Sequence, residues 1–234
     1  MTETLQLSAQ ILFTCQLLAT FAILFLVALL IADYHKKGAI AGTFKTMTSL
    51  CLLAFCVILT YQSQTIYSIL LLVGVFFGVI GDVFLIFKSK KSFLAGMAAF
   101  LIGHLAYITA FLQYDYQGLE WLAALTGLSF AMYFVYNWIK DSLSGVLKYG
   151  VIAYMFVIAV MTALGLSLRI DGQLTLVAMG AILFALSDFF VASHRFKTPK
   201  FSDRVFGLPL YYAGQFVLAA TIAVMQTGSP WLPV

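Results

Sequence analysis

Eight apolar stretches, each close to the ~20 residues that a helix needs to cross the hydrocarbon of a bilayer, constrain this chain more than any other feature of it. They fall at about 9–33, 44–61, 66–87, 92–113, 119–138, 147–169, 173–194 and 206–227. The gaps between them are too short for an extramembrane domain or a long linker. Hydrophobic residues make up 63% of the chain and charged residues 9%, too little charge to cover a water-soluble core of this size. The fold class that follows is all-α: a polytopic transmembrane helical bundle of eight spans, with the whole of 1–234 as a single transmembrane domain.

The first apolar run follows Met-Thr-Glu-Thr with no basic segment and is longer than the core of a cleaved signal peptide, so the first span is expected to remain. Cys15, Cys51 and Cys56 all lie inside apolar runs, where thiols act as small hydrophobes. Orientation comes from the basic residues. Of thirteen, Arg169 alone falls on one side; Lys36, Lys37, Lys45, Lys88, Lys90, Lys91, Lys140, Lys148, Arg195, Lys197, Lys200 and Arg204 fall at the loops on the other. Lys and Arg in short loops stay in the cytoplasm. That asymmetry predicts a multi-pass protein of a bacterial inner membrane with both termini outside. The net charge of +4 is then a topology signal and gives no reason to expect nucleic acid as a partner.

Seven of the nine acidic residues, Glu3, Asp33, Asp115, Glu120, Asp141, Asp171 and Asp203, lie in loops or at span ends. Asp82 and Asp188 do not. An ionisable group at membrane depth costs ~2.5–3.5 kcal/mol on insertion scales and marks a functional candidate. Asp82 precedes Lys88 by six residues and Asp188 precedes Arg195 by seven, so both carboxylates share a depth in the inner leaflet. Gly74 and Gly180 each stand eight residues before their aspartate, in GVFFGVIGDVF and GAILFALSDFF. Two parallel four-helix repeats about an axis normal to the membrane are one reading of that echo. A pseudo-twofold would bring the carboxylates together in one cavity, where one is expected to hold a proton and the other a charge, giving an acid and a base.

Other polar residues lie at similar depth: His104 and Tyr107 on span 4, Tyr133 and Asn137 on span 5, Ser187 beside Asp188, and Tyr211, Tyr212 and Gln215 on span 8. Lys45, at the inner start of span 2, could pair with a lipid phosphate. These residues could line a polar pocket open to the cytoplasmic leaflet. Each also has a plainer role available: a hydrogen bond between helices for His104 and Gln215, an interfacial belt for the tyrosines, a topology anchor for Lys45, and a structural ion pair or buried acid for the aspartates.

The chain has no Gly-rich phosphate loop, no G-x-S-x-G elbow and no H-E-x-x-H. Its three histidines, His35, His104 and His194, are too scattered along the chain to predict a zinc site, so neither a metal nor an organic cofactor is expected. Oligomeric state is not encoded in any motif.

Four segments, GVIGDVFLIF, FLAGMAAFLIGHLAYITAF, GAILFALSDFFVA and PLYYAGQFVLA, in that order and spacing, resemble the YhhN-like lysoplasmalogenases, eight-span membrane enzymes of bacteria and animals. The resemblance runs over nearly the whole chain and is most specific in spans 3, 4, 7 and 8. It implies hydrolysis of the vinyl ether bond of lysoplasmalogens, the ethanolamine or choline lysophospholipids, to a fatty aldehyde and a glycerophospho-headgroup. By motif, it implies site residues at Asp82, His104, Tyr107, Ser187, Asp188, Tyr212 and Gln215. On span 2 the family tends to Lys-Pro, where this chain has Lys45-Thr46.

Vinyl ether hydrolysis suits two carboxyl groups. The β-carbon is protonated, water attacks the resulting oxocarbenium ion, and the hemiacetal collapses to aldehyde; the steps need an acid, an anion and a base. Asp82 and Asp188 are therefore the expected catalytic pair, with His104 or a tyrosine relaying protons and membrane lipids surrounding the substrate tail. The competing readings are a proton-coupled transporter or lipid carrier using the same aspartates, a lipid-binding scaffold, and a metal-dependent hydrolase of another lipid bond.

Overall fold

The computed structural model describes residues 8–87, 89–170, 173–174 and 176–225. Glu3, Lys88, Asp171 and the last residues of the eighth expected span lie outside the described residues. Eight helices long and apolar enough to cross a membrane account for most of the chain. They are α1 (Ala9–Tyr34), α2 (Gly38–Ser63), α3 (Ile66–Ile86), α4 (Lys90–Phe111), α5 (Gly118–Ile139), α6 (Val146–Ser167), α7 (Leu176–Phe196) and α8 (Phe201–Ala220). A two-residue antiparallel pair, Arg169–Ile170 with Gln173–Leu174, closes the α6–α7 turn. The protein is a multi-pass helical membrane protein, as the apolar runs require.

Two helices begin earlier than hydropathy suggests. Apart from Ile40, the first turns of α2, Gly38 to Thr43, are small residues, so the apolar run starts late although the helix does not. The first turn of α8 holds Asp203 and Arg204, which read as loop. Asp203 ties that turn down: its carboxylate accepts from the Lys200 backbone N–H at 3.1 Å and from the Ser193 hydroxyl at 3.2 Å, satisfying an N-terminal donor that the helix cannot. Arg204 in turn meets Asp33 at the end of α1 at 2.5 Å.

The two halves of the chain use the same seams. On α3 and α4, a Cβ on Gly103 would stand 3.0 Å from the Gly74 carbonyl, and one on Gly96 would stand 3.2 Å from the Gly81 carbonyl. On α7 and α8, a Cβ on Gly214 would stand 2.9 Å from the Gly180 carbonyl, and one on Gly207 3.7 Å from the Ser187 carbonyl. Small residues let helix backbones approach where lipid supplies no hydrophobic force between helices. Gly81 and Ser187 directly precede the two aspartates, so each close-packed pair, α3–α4 and α7–α8, fixes one carboxylate. The parallel-repeat reading of Gly74 and Gly180 thus has a structural counterpart on the partner helices.

Packing is uneven. The core gathers aromatic and aliphatic side chains from α2, α3, α4, α6, α7 and α8, among them Tyr107, Phe111, Phe184 and Leu218. Helix α5 buries only Ile139 and presents Phe130, Tyr133 and Phe134 outward. In a bilayer such a face meets acyl chains.

Candidate functional site

Asp82 lies in the last two turns of α3, 2% exposed, and collects donors from two neighbouring helices. Lys45 of α2 reaches it with Nζ 2.7 Å from Oδ1. Ser49, one turn further along α2, donates to Oδ2 at 2.6 Å, and Tyr211 of α8 donates to the same oxygen at 2.9 Å. Lys45 is itself 6% exposed. It therefore lies in the second turn of α2, turned into the bundle. The lipid-phosphate contact expected of it is replaced by an internal ion pair, because α2 starts a turn and a half before its apolar run.

From this ion pair a chain of hydrogen bonds crosses the bundle. The Tyr212 hydroxyl lies 3.0 Å from Ser49 Oγ and donates to the Lys45 carbonyl at 3.2 Å. Gln215 Nε2 donates to the Tyr211 hydroxyl at 3.4 Å, and the Tyr107 hydroxyl donates to Gln215 Oε1. Tyr107, Tyr211, Tyr212 and Gln215 thus meet around Asp82, on α4 and α8, as the shared depth of these residues suggested. Gly78 makes room for the meeting: a Cβ there would lie 2.9 Å from Gln215 Nε2.

Asp188 has a different neighbourhood. Its Oδ2 accepts from the Tyr154 hydroxyl of α6 at 2.8 Å, and among the described residues no cation lies within ion-pair distance of it. Ser187 turns back on its own helix, donating to the Phe184 carbonyl at 2.7 Å, and does not reach Asp188. His104 is buried between the two clusters. Its ring packs edge-on against Tyr154, Phe184 and Tyr107, Nδ1 lies 2.6 Å from the Phe100 carbonyl, and Nε2 has no partner among the described residues. Tyr133 and Asn137 are not part of the site. Tyr133 is 62% exposed on the outer face of α5, and among the described residues the Asn137 side chain bonds only to the Tyr133 carbonyl and to Lys140 on its own helix end.

Asp82 and Asp188 line one cavity of ≈ 740 Å³, within the size of small-molecule sites. Its walls come from all eight helices, and its mouth lies at the basic end of the bundle, among Lys36, Arg195, Lys200 and Arg204. Tyr154 lines it as well. Among the described residues no three His, Cys, Asp or Glu side chains converge as metal ligands would.

The model of the YhhN family matches residues 40–222, from the first turn of α2 to just past the end of α8. The chain belongs to the YhhN family. Its curated relatives include two proteins named lysoplasmalogenase TMEM86A. That of Bos taurus is 30% identical over 170 residues, which cover 69% of this chain and 67% of the relative. That of Homo sapiens is 32% identical over 155 residues, covering 63% of this chain and 62% of the relative, so the match spans less than two thirds of the human protein. No solved structure matches. The YhhN match contains every residue of both aspartate clusters.

Ser49 and Tyr154 are members of the site that the sequence reading missed; Ser49 gave no sign apart from its place one turn after Lys45, whereas Tyr154 had one. The signal for it was the repeat. Lys45 reaches its aspartate from the helix before α3, and Tyr154 reaches its own from the helix before α7. The two halves of this YhhN chain place the same kind of contact at corresponding points and fill it with an ammonium in one half and a phenol in the other.

Proposed function

We propose that this chain is a membrane hydrolase that cleaves the vinyl ether bond of lysoplasmalogens, releasing a fatty aldehyde and a glycerophospho-alcohol, with Asp188 as the general acid and Asp82 as its anionic partner. The observation that carries the reading is the unlike company of two aspartates on one cavity: Asp82 with the Lys45 ammonium, and Asp188 with the neutral Tyr154 hydroxyl. Membership of the YhhN family and the lysoplasmalogenase relatives supply the substrate class.

The division of labour follows from charge. A carboxylate that faces a cation and two hydroxyl donors is suited, as the anion of that pair, to stabilise positive charge that develops in the cavity. Asp188 has one oxygen occupied by a neutral donor, which leaves the other to carry a proton, and among the described residues no cation competes for its place. In the reaction, Asp188 transfers that proton to the β-carbon of the vinyl ether, and the C=C electrons move to form an oxocarbenium ion. Water adds at the carbon bonded to oxygen and loses a proton to a carboxylate. The hemiacetal hydroxyl then gives up its proton to a carboxylate as the C–O bond to glycerol breaks, the glycerol oxygen takes up a proton, and the aldehyde leaves.

The alkenyl tail would lie along the apolar wall formed by Met132, Val135 and Ile158, with the polar end toward the mouth. The basic asymmetry of the loops supports a mouth that faces the cytoplasm of a bacterial cell, both termini being outside.

The test is aldehyde release from lysoplasmenylethanolamine and lysoplasmenylcholine by the purified protein in mild detergent, beside Asp82→Asn and Asp188→Asn. Release by the wild type and loss in both variants, with the unfolding temperature of Asp188→Asn held, is the expected result. A well-folded wild type that releases no aldehyde overturns the reading.

A further inference from the structure

At the cavity mouth the acidic residues are already engaged. Asp33 holds Arg204 at 2.5 Å, and Asp203 accepts from the Lys200 backbone and the Ser193 hydroxyl. Among the described residues, Arg195 and Lys36 line the same mouth with no carboxylate within ion-pair distance. Arg195 is also held in place. Its Cζ lies 4.3 Å from the centre of the Phe93 ring on α4, a cation–π contact that fixes the plane of the guanidinium and leaves its N–H edge free. A fixed, uncompensated guanidinium at a cavity mouth is a receptor for a phosphate, which it can grip through two parallel hydrogen bonds.

The spacing says which phosphate. Asp188 and Arg195 both line the cavity from α7, seven residues apart. That is two turns along one face of the helix, a rise of ~10.5 Å. In a 1-alkenyl-glycerol-3-phosphate unit, seven bonds separate the carbon that takes the proton from the phosphorus, roughly 9 Å when extended at ordinary bond lengths. We propose that Arg195, stacked on Phe93 and assisted by Lys36, binds the phosphodiester of a single-chain ether glycerophospholipid, and that α7 serves as a ruler which brings the vinyl ether to Asp188. The proposal rests on the hydrolase reading for the identity of the reacting bond, and on the mouth geometry alone for the phosphate.

Two measurements separate these. The first is binding of a non-cleavable pair: a saturated 1-O-alkyl lysophosphoethanolamine and the corresponding 1-O-alkylglycerol without phosphate, with inorganic phosphate alone as a third ligand. Wild type should prefer the phosphate-bearing lipid by about tenfold or more. Arg195→Gln should erase the preference while leaving alkylglycerol binding unchanged. Arg195→Lys, which keeps the charge and the topology signal but loses the fork, should restore part of it. The second measurement is turnover of lysoplasmenylethanolamine, where Arg195→Gln should raise KM about tenfold with kcat nearly unchanged.

The proposal is overturned if Arg195→Gln keeps the preference, if it weakens both lipids equally, or if inorganic phosphate binds as tightly as the lipid. A wild type that releases no aldehyde yet shows the Arg195-dependent preference refutes vinyl ether hydrolysis and leaves the phosphate site standing.

Discussion

The Lys45 ammonium touches Asp82 twice, at Oδ1 over 2.7 Å and at the backbone carbonyl over 3.3 Å. It is therefore bound to the helix as well as to the carboxylate, and it stays in place when the carboxylate changes. Breaking a buried pair from one side leaves an uncompensated charge, at a cost of about 3–5 kcal/mol, whereas removing both partners costs much less. Lys45→Met alone should lower the unfolding temperature in detergent sharply. Lys45→Met with Asp82→Asn should recover most of that loss and remain inactive, as thermal unfolding and aldehyde release measured on the same samples will show.

Among the described residues Tyr154 makes one polar side-chain contact, its hydroxyl to Asp188 Oδ2. Tyr154→Phe keeps the ring that packs on His104 and removes only the donor. Stability should fall by about 1 kcal/mol, the usual net worth of a hydrogen bond. Turnover should fall by about tenfold or more, because an acid that swings off its line misses the carbon it must protonate. A kcat unchanged in Tyr154→Phe would remove Tyr154 from the site.

Gly214 separates α8 from α7, and a methyl there would meet the Gly180 carbonyl and the Phe184 N–H, both at 2.9 Å. Backbone cannot rotate away as a side chain can. Gly214→Ala should destabilise the protein by about 1–3 kcal/mol and should depress activity more than that loss explains, since Gln215 and Tyr211 ride on the displaced helix. Gly127→Ala, a position with open space around it, is the matched control and should be neutral.

Tyr133 and Asn137 point away from the cavity. Tyr133→Ala and Asn137→Ala should each change stability by no more than about 0.5 kcal/mol and leave kcat/KM within about twofold of wild type. A large loss of activity in either would show that α5 turns its outer face to the substrate.

How much of this could be read from the sequence differs from residue to residue for physical reasons. The spans were plain because lipid leaves a helix no other way to satisfy its backbone. Asp82 and Asp188 stood out because charge at that depth is rare. Tyr133 misled because in a bilayer both the buried and the lipid-facing sides of a helix are apolar, so periodicity does not tell which way a tyrosine turns. Tyr154 gave no local sign, being one of twelve tyrosines in an aromatic-rich chain. Lys45 was placed a turn too far out because Gly38 to Thr43, Ile40 apart, are small enough to resemble a loop. Only the pairing of α2 with α3 shows that its charge is spent inside.

Both aspartates meet their partners across a single turn of the chain. Lys45 and Asp82 lie on the hairpin of α2 and α3, joined by Gln64 and Thr65 alone, and Tyr154 and Asp188 lie on the hairpin of α6 and α7. Each aspartate thus has a polar partner on the helix directly before its own. During synthesis, a hairpin that leaves the insertion machinery can already have its carboxylate matched, so neither acid must wait in lipid for a distant helix to arrive.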